Sequence, residues 1–345
     1  MTEAKLYTKL PDNRVRCNLC AHHCTIAEGE RGICHVRENR GGVLYTKVYG
    51  RTIARHVDPI EKKPLFHFYP GSTAYSIGTV GCNFRCQWCQ NWEISQMPRE
   101  KRIIIGDEAP PEDVVSDAKK HGCKSIAYTY TEPTIFFEYA YDTAHIAHEN
   151  GLANIYVTNG YMTDEMLETF HPYLDAVNVD LKAFRDTTYK KYVGARLQPV
   201  LKSLKTMRRL GIWIEVTTLV IPGINDDPAE LKEAACFIVN ELGEDIPWHI
   251  SCFFPSYKLT DVPATPVSTL EKARDIGLEA GLRYVYEGNV TSETNTFCHA
   301  CGQLLIRRSG YSIMENRIGH DGCCPNCGAR VAGVGMNKQH NNRKT

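Results

Sequence analysis

The chain has 345 residues, 43% hydrophobic and 23% charged, which suits a globular protein with a buried core and excludes disordered and fibrous architectures. Forty basic residues balance forty acidic ones, so nothing indicates a broadly basic nucleic-acid surface. No window approaches the roughly 18 apolar residues of a membrane span, and the opening MTEAKLYTKLPDNRVRC lacks the apolar stretch of a secretory signal, so a cytoplasmic protein is expected.

Fifteen cysteines in a reducing compartment indicate metal or redox chemistry more than disulfides. The first group, Cys17, Cys20, Cys24 and Cys34, offers four thiolates, a complete set for zinc or for a second iron–sulfur cluster. The reading leans to zinc, because His22, His23 and His35 stand nearby without needing a role. Residues 41–57, GGVLYTKVYGRTIARHV, alternate apolar and polar around Gly50 and predict a hairpin. Residues 1–73 are thus expected to form a Cys-rich metal-binding segment and hairpin.

From residue 74 to 290 short strands alternate with helical stretches. AYSIGTV, SIAYTY, NIYVT, AVNVD, WIEVTTLV and WHISCFF are the strand candidates. Asp227-Pro228-Ala229-Glu230 predicts one helix start, and the capping box Ser268-Thr269-Leu270-Glu271 another. The fold class is therefore α/β, with a parallel sheet that forms a partial or closed βα barrel or a doubly wound sheet. Near the end, Cys298-x2-Cys301 and Cys324-x2-Cys327 predict a zinc-ribbon-like module over 291–330, a structural staple for a segment with little core. Cys323 reads as a spare, and 331–345 as a polar, disordered tail. The isolated Cys123, Cys236 and Cys252 read as small buried hydrophobes.

Directly after the strand AYSIGTV stand Cys82, Cys86 and Cys89, spaced by three and two residues. Three thiolates leave one iron of a 4Fe-4S cluster without a protein ligand and open to a small molecule. The loop follows a βα strand, where barrels build active sites. This loop resembles the signature of the radical S-adenosylmethionine (SAM) enzymes, C-x3-C-x2-C with an aromatic, here Trp88, before the last cysteine. The stretches GCNFRCQWCQNWEISQ, DPIEKKPLFHFYPGS, YTYTEPTIFFEY and VTNGYMTDEM through DAVNVDLKAF resemble the pyruvate formate-lyase activating enzyme-like branch, most nearly the radical SAM family of the AmmeMemoRadiSam system. The resemblance implies a 4Fe-4S cluster on Cys82, Cys86 and Cys89 that cleaves SAM reductively to a 5′-deoxyadenosyl radical, which abstracts hydrogen from an unidentified substrate. It also implies a reducing donor such as ferredoxin or flavodoxin, and pathway partners of the Memo-like and AMMECR-like kinds.

The same resemblance assigns SAM contacts to Thr131 and Glu132 of the T-E-P motif, to Asn159, and to Asp180 and Lys182 of a D-x-K element. Glu132 could equally cap the helical run that follows, and Asn159-Gly160 is a common turn pair. Two departures stand out. Val157 replaces the aspartate of the D-T-N-G pattern, which removes a ligand for a monovalent cation, and Glu215 replaces an arginine, which would change the charge facing SAM or substrate. The alternatives to an enzyme of unidentified substrate are a glycyl-radical-enzyme activase and a non-catalytic iron–sulfur, zinc or electron-carrier protein, including a zinc knuckle completed by His67 or Cys123.

Overall fold

The computed structural model describes residues 1–290 and 294–337. The central alternation of strands and helices becomes one eight-stranded sheet: β1 (Ala54–Pro59), β2 (Thr73–Gly78), β3 (Ser125–Tyr128), β4 (Ala153–Thr158), β5 (Ala176–Asp180), β6 (Trp213–Val220), β7 (Trp248–Cys252) and β8 (Val285–Gly288). β1 lies antiparallel to β2, and from β2 to β8 every neighbour is parallel and in chain order. Parallel neighbours need long crossovers. These carry α1 (Pro111–Lys120), α2 (Phe137–Glu149), α3 (Asp164–Phe170), α4 (Leu197–Arg209), α5 (Pro228–Phe237) and α6 (Val267–Glu279) in turn. β1 and β8 are the two edges of the sheet, so the barrel is partial and open.

All six expected strands form. β3 is buried at every position, as befits a parallel strand covered on both faces, and this explains why these segments read as continuous apolar runs. β8 was not foreseen, because Val285–Gly288 is only four residues long and contains Glu287 and Gly288, so it carries no alternation signal. Asp227 caps α5 as expected, its carboxylate accepting from Glu230 N at 3.0 Å. α6 instead starts at Val267 after Pro266, so Ser268 lies inside the first turn and caps nothing.

The hairpin expected around Gly50 does not form. Val43–Thr46 pairs with Arg37–Arg40 and Thr2–Glu3, whereas β1 joins the main sheet, so Gly50 turns the chain from one sheet toward another. Alternation alone cannot name a strand's partner. A second small sheet, Tyr7–Lys9, Val15–Cys17 and Thr25–Ile26, completes the N-terminal segment. The buried Arg37 guanidinium anchors this segment to α2 through Glu138, at 2.9 and 3.0 Å.

β1 ends where β2 begins, Pro59 opposite Thr73, so residues 60–72 leave the sheet at the N-terminal ends of the parallel strands. They turn into the barrel interior, where Pro64 O accepts from Asn178 Nδ2 at 2.8 Å and the amides of Phe66 and His67 meet Glu215. The C-terminal strands Thr296–Phe297, Leu304–Ser309 and Ser312–Asn316 meet this plug, where Phe66 shares an apolar cluster with Leu305, Ile306 and Ile313. Arg308, fully buried, lies 4.4 Å over the Phe66 ring and donates to Phe66 O at 3.1 Å. The tail expected from residue 331 is ordered through 337: Val331 and Met336 are buried, and Val334 bridges to Phe68, so apolar residues here are recruited to the plug. Residues 338–345 lie outside the described residues. Among the described residues no helix is long and apolar enough to cross a membrane.

Candidate active site at the C-terminal ends of the strands

The loop Gly81–Gln90 follows β2 at the C-terminal ends of the parallel strands. Its backbone is held from several directions: Arg85 N donates to Val193 O at 2.9 Å, Gln87 N to Tyr192 O at 3.0 Å, and Lys258 N to Gln87 O at 2.9 Å. Phe84 and Trp88 are buried and act as anchors, Phe84 edge-on to Tyr161 at 5.1 Å and Trp88 beside Tyr192 at 6.2 Å. The thiols of Cys82, Cys86 and Cys89 are thus presented on a stiffened loop. Burial pushes the Cys86 thiol up to about 12, with Lys182 pulling the other way, and it raises Cys82 too, with Glu132 adding to the shift. A positive centre bound by these thiols would offset that burial cost by stabilising their thiolates.

Strand ends bring the other expected residues to this loop. Thr131 Oγ1 donates to Thr79 O at 2.8 Å. Asn159 Nδ2 donates to Asn83 Oδ1 at 2.7 Å, beside Cys82. Asp180, the last residue of β5, and Lys182 form an ion pair at 2.6 Å. Burial works against the Lys182 ammonium, but Asp180 and the nearby Cys86 outweigh it and lift its pKa above the ordinary lysine value.

Glu132 stands differently. Its Oε1 accepts from Thr134 N at 3.0 Å, from Thr134 Oγ1, and from Thr158 Oγ1 at 2.7 Å, while Oε2 accepts from Asn159 N at 2.8 Å. Both oxygens are occupied by protein donors. The carboxylate caps the turn Pro133–Phe136 and ties the end of β3 to the end of β4.

Three residues of this region were missed. Asn83 links the cysteine loop to Asn159, and its Nδ2 is a buried donor without a partner. Tyr257, after β7, stacks on Trp92 at 5.2 Å, and Ser256 Oγ reaches Cys89 O at 3.4 Å. Neither contact leaves a local mark in the sequence. Glu215, expected to face SAM or substrate, is fully buried in the barrel interior. It meets Phe66 N and His67 N of the plug at 2.9 and 2.7 Å, and Trp213 Nε1 of β6 and His249 Nε2 of β7 at 3.2 and 2.7 Å, which fills its capacity.

A zinc knuckle at the central loop finds no fourth ligand in the residues foreseen for it. His67 is committed to Ala332 O and Tyr286 Oη, each at 2.6 Å, and Cys123 precedes β3 at the opposite end of the strands. Among the described residues, one group of cysteine, histidine and acidic side chains converges on a single-ion distance: Cys298, Cys301, Cys324 and Cys327, all within 4.8 Å of one another. The Cys298–Cys327 and Cys301–Cys324 sulfurs are 3.6 and 3.7 Å apart. Four sulfurs at about 2.3 Å from one tetrahedral ion stand about 3.8 Å from each other, so this quartet fits a metal. Cys323 lies outside it, its amide bonded to Asp321.

Residues 76–235 match the model of the Radical SAM superfamily. The chain is 51% identical over 310 residues to the uncharacterized protein MJ0808 of Methanocaldococcus jannaschii, covering 89% of this chain and 92% of that one. It is 23% identical over 272 residues to the GTP 3′,8-cyclase of Aquifex aeolicus, covering 70% and 82%. The crystal structure of Streptococcus suis SuiB bound to precursor peptide SuiA superposes with a TM-score of 0.50 at 13% identity, over 70% of this chain and 55% of that one, a likeness of fold.

Proposed function

The chain belongs to the radical SAM superfamily, and we propose that it is an enzyme that cleaves SAM reductively at Cys82, Cys86 and Cys89 and uses the resulting radical on a substrate. The observation that carries this reading is the three-cysteine loop at the C-terminal ends of the strands, with Asn159, Asp180 and Lys182 gathered around it. The unpaired Asn83 Nδ2 and the three buried or half-buried thiols suit a 4Fe-4S cluster. Such a cluster would supply the low-potential electron that reductive cleavage of SAM requires.

In this reading Cys82, Cys86 and Cys89 would hold the cluster, and the loop's backbone bonds keep their spacing. Asp180 and Lys182 hold the polar groups of SAM, with Lys182 kept charged by its partner. Glu132 acts through the turn it organises, so that Thr131 and Asn159 are correctly placed. Tyr257, Trp92 and Ser256 close the side next to Cys89 and help exclude water. Radical SAM enzymes need a reductant, for which ferredoxin or flavodoxin is the proposed donor. The C-terminal quartet is proposed as a structural zinc site.

The test is anaerobic reconstitution, reduction and addition of SAM, with 5′-deoxyadenosine as the readout. Wild type should release it and show a reduced-cluster spectrum that changes with SAM. The variant Cys82→Ala, Cys86→Ala, Cys89→Ala should do neither, and the same release from both proteins would sink the assignment.

A further inference from the structure

We propose that Cys17, Cys20, Cys24 and Cys34 hold a second 4Fe-4S cluster, placed to pass electrons to the Cys82–Cys86–Cys89 loop. The four cysteines line one cavity together with Ile26, Ile33 and Ile135. Among the described residues no three of these thiols gather at the single-ion distance of the C-terminal quartet, whose sulfurs all lie within 4.8 Å of one another. One ion draws its thiolates to tetrahedral contact, whereas a cubane spreads them over four separate irons. The central three cysteines, in a superfamily built on such clusters, are likewise outside single-ion distance. A cluster, which takes its four thiolates on four separate irons, therefore suits this group better than the single zinc that the sequence suggested.

A second observation points to a ligand in this cavity. Arg37 also lines it, is 1% exposed, and keeps its Nε as a buried donor with no partner, although its terminal nitrogens are spent on Glu138 and Lys5 O. An unpaired buried N–H is costly, and an anionic cluster with its sulfides and thiolates is an acceptor that would satisfy it.

The two cysteine loops share a wall. Asn83, next to Cys82, lines the N-terminal cavity, and its carbonyl oxygen is 2.9 Å from His22 Nε2, two residues after Cys20. A Cβ on Gly81, whose φ is +105°, would lie 2.8 Å from Val36 Cγ1 and 3.4 Å from Cys34 O, so only glycine allows this approach. Electron flow balances without atom transfer. A low-potential one-electron donor of the iron–sulfur or flavin class reduces the second cluster from the 2+ to the 1+ state, and that electron moves on to the central cluster, returning the second to 2+.

The electron-passing role rests on the radical SAM reading, but the presence of the cluster does not, and the two are measured separately. Anaerobically reconstituted Cys82→Ala, Cys86→Ala, Cys89→Ala should keep about four iron and four sulfide per chain, with the Mössbauer spectrum of a 4Fe-4S cluster. Adding Cys20→Ala and Cys34→Ala should remove that iron. Wild type, which needs no variant to fold, should hold about eight iron in clusters. Zinc on the N-terminal cysteines, with about four cluster irons in wild type and none in the triple variant, overturns the proposal. If the clusters are neighbours, dithionite-reduced wild type should show an electron paramagnetic resonance spectrum broadened by spin–spin interaction, and the triple variant a single unbroadened signal. A wild-type spectrum that is the plain sum of two isolated centres overturns the electron-passing role, whatever the outcome for SAM cleavage.

Discussion

Replacing Glu215 by Gln separates a carboxylate that faces SAM from one that holds the barrel together. Glu215 accepts from Phe66 N at 2.9 Å, His67 N at 2.7 Å and Trp213 Nε1 at 3.2 Å, and lies 2.7 Å from His249 Nε2. Glutamine keeps one oxygen and turns an NH2 either toward His67 N and Trp213 Nε1 or toward Phe66 N and His249 Nε2, whose ring accepts in its other tautomer, so one or two donors lose their acceptor. At about 1–3 kcal/mol for each buried unsatisfied group, the cost is about 1–6 kcal/mol. A domain's whole stability is about 5–15 kcal/mol, so this is a large share. The assay is urea unfolding of the metal-loaded protein, followed by tryptophan fluorescence, since Trp213 touches the altered group. Glu215→Gln should lower the midpoint with little change in slope. In buffer, the folded variant should bind SAM within about twofold of wild type, which is about 0.4 kcal/mol. A wild-type midpoint combined with lost SAM binding would refute the structural role and restore the expectation that this side chain faces the cofactor.

Asp180→Ala and Lys182→Ala should each weaken SAM binding roughly ten- to hundredfold by equilibrium titration, the loss of a charge-assisted contact of about 1.5–3 kcal/mol, while cluster iron stays at the wild-type level; unchanged affinity in both removes the pair from the site. Cys301→Ser with Cys327→Ser should release about one zinc per chain by elemental analysis and expose residues 294–330 to hydrogen exchange, leaving cluster iron in place. Burial alone would raise the Glu38 carboxyl, but Lys47, Arg40 and Arg31 outweigh it and hold it at about 2. A depressed carboxylate stabilises fully above its unfolded pKa of about 4.3 and loses that contribution as pH falls toward the folded value. The midpoint difference between wild type and Glu38→Gln should therefore be constant above about pH 5 and shrink as the pH is lowered toward 2; a difference that grows in acid would contradict the ion-pair assignment.

The cysteine spacings, the succession of strands and helices along the chain and the start of α5 were legible because each depends on residues a few positions apart. Cys82, Cys86 and Cys89 occupy one short loop, and Asp227 meets Glu230 one turn later. The parallel sheet followed from strand–helix alternation, and the positions of Asn159 and Asp180 followed from their places at strand ends. Folding decided what long-range partners decide. Glu132 and Glu215 look alike in the sequence as acids near apolar strands, yet one joins two strand ends near the cluster loop and the other holds a plug 148 and 149 residues away in the chain. Whether β1 pairs across Gly50 or joins the main sheet depends on which edge buries its backbone groups, which alternation does not encode. The spacing of Cys17, Cys20, Cys24 and Cys34 suits zinc and a cluster equally. The choice between them lies in how far apart the folded backbone holds the four sulfurs, in the unpaired Arg37 Nε beside them, and in the approach of Cys34 to Gly81, all set by packing between segments distant in the chain.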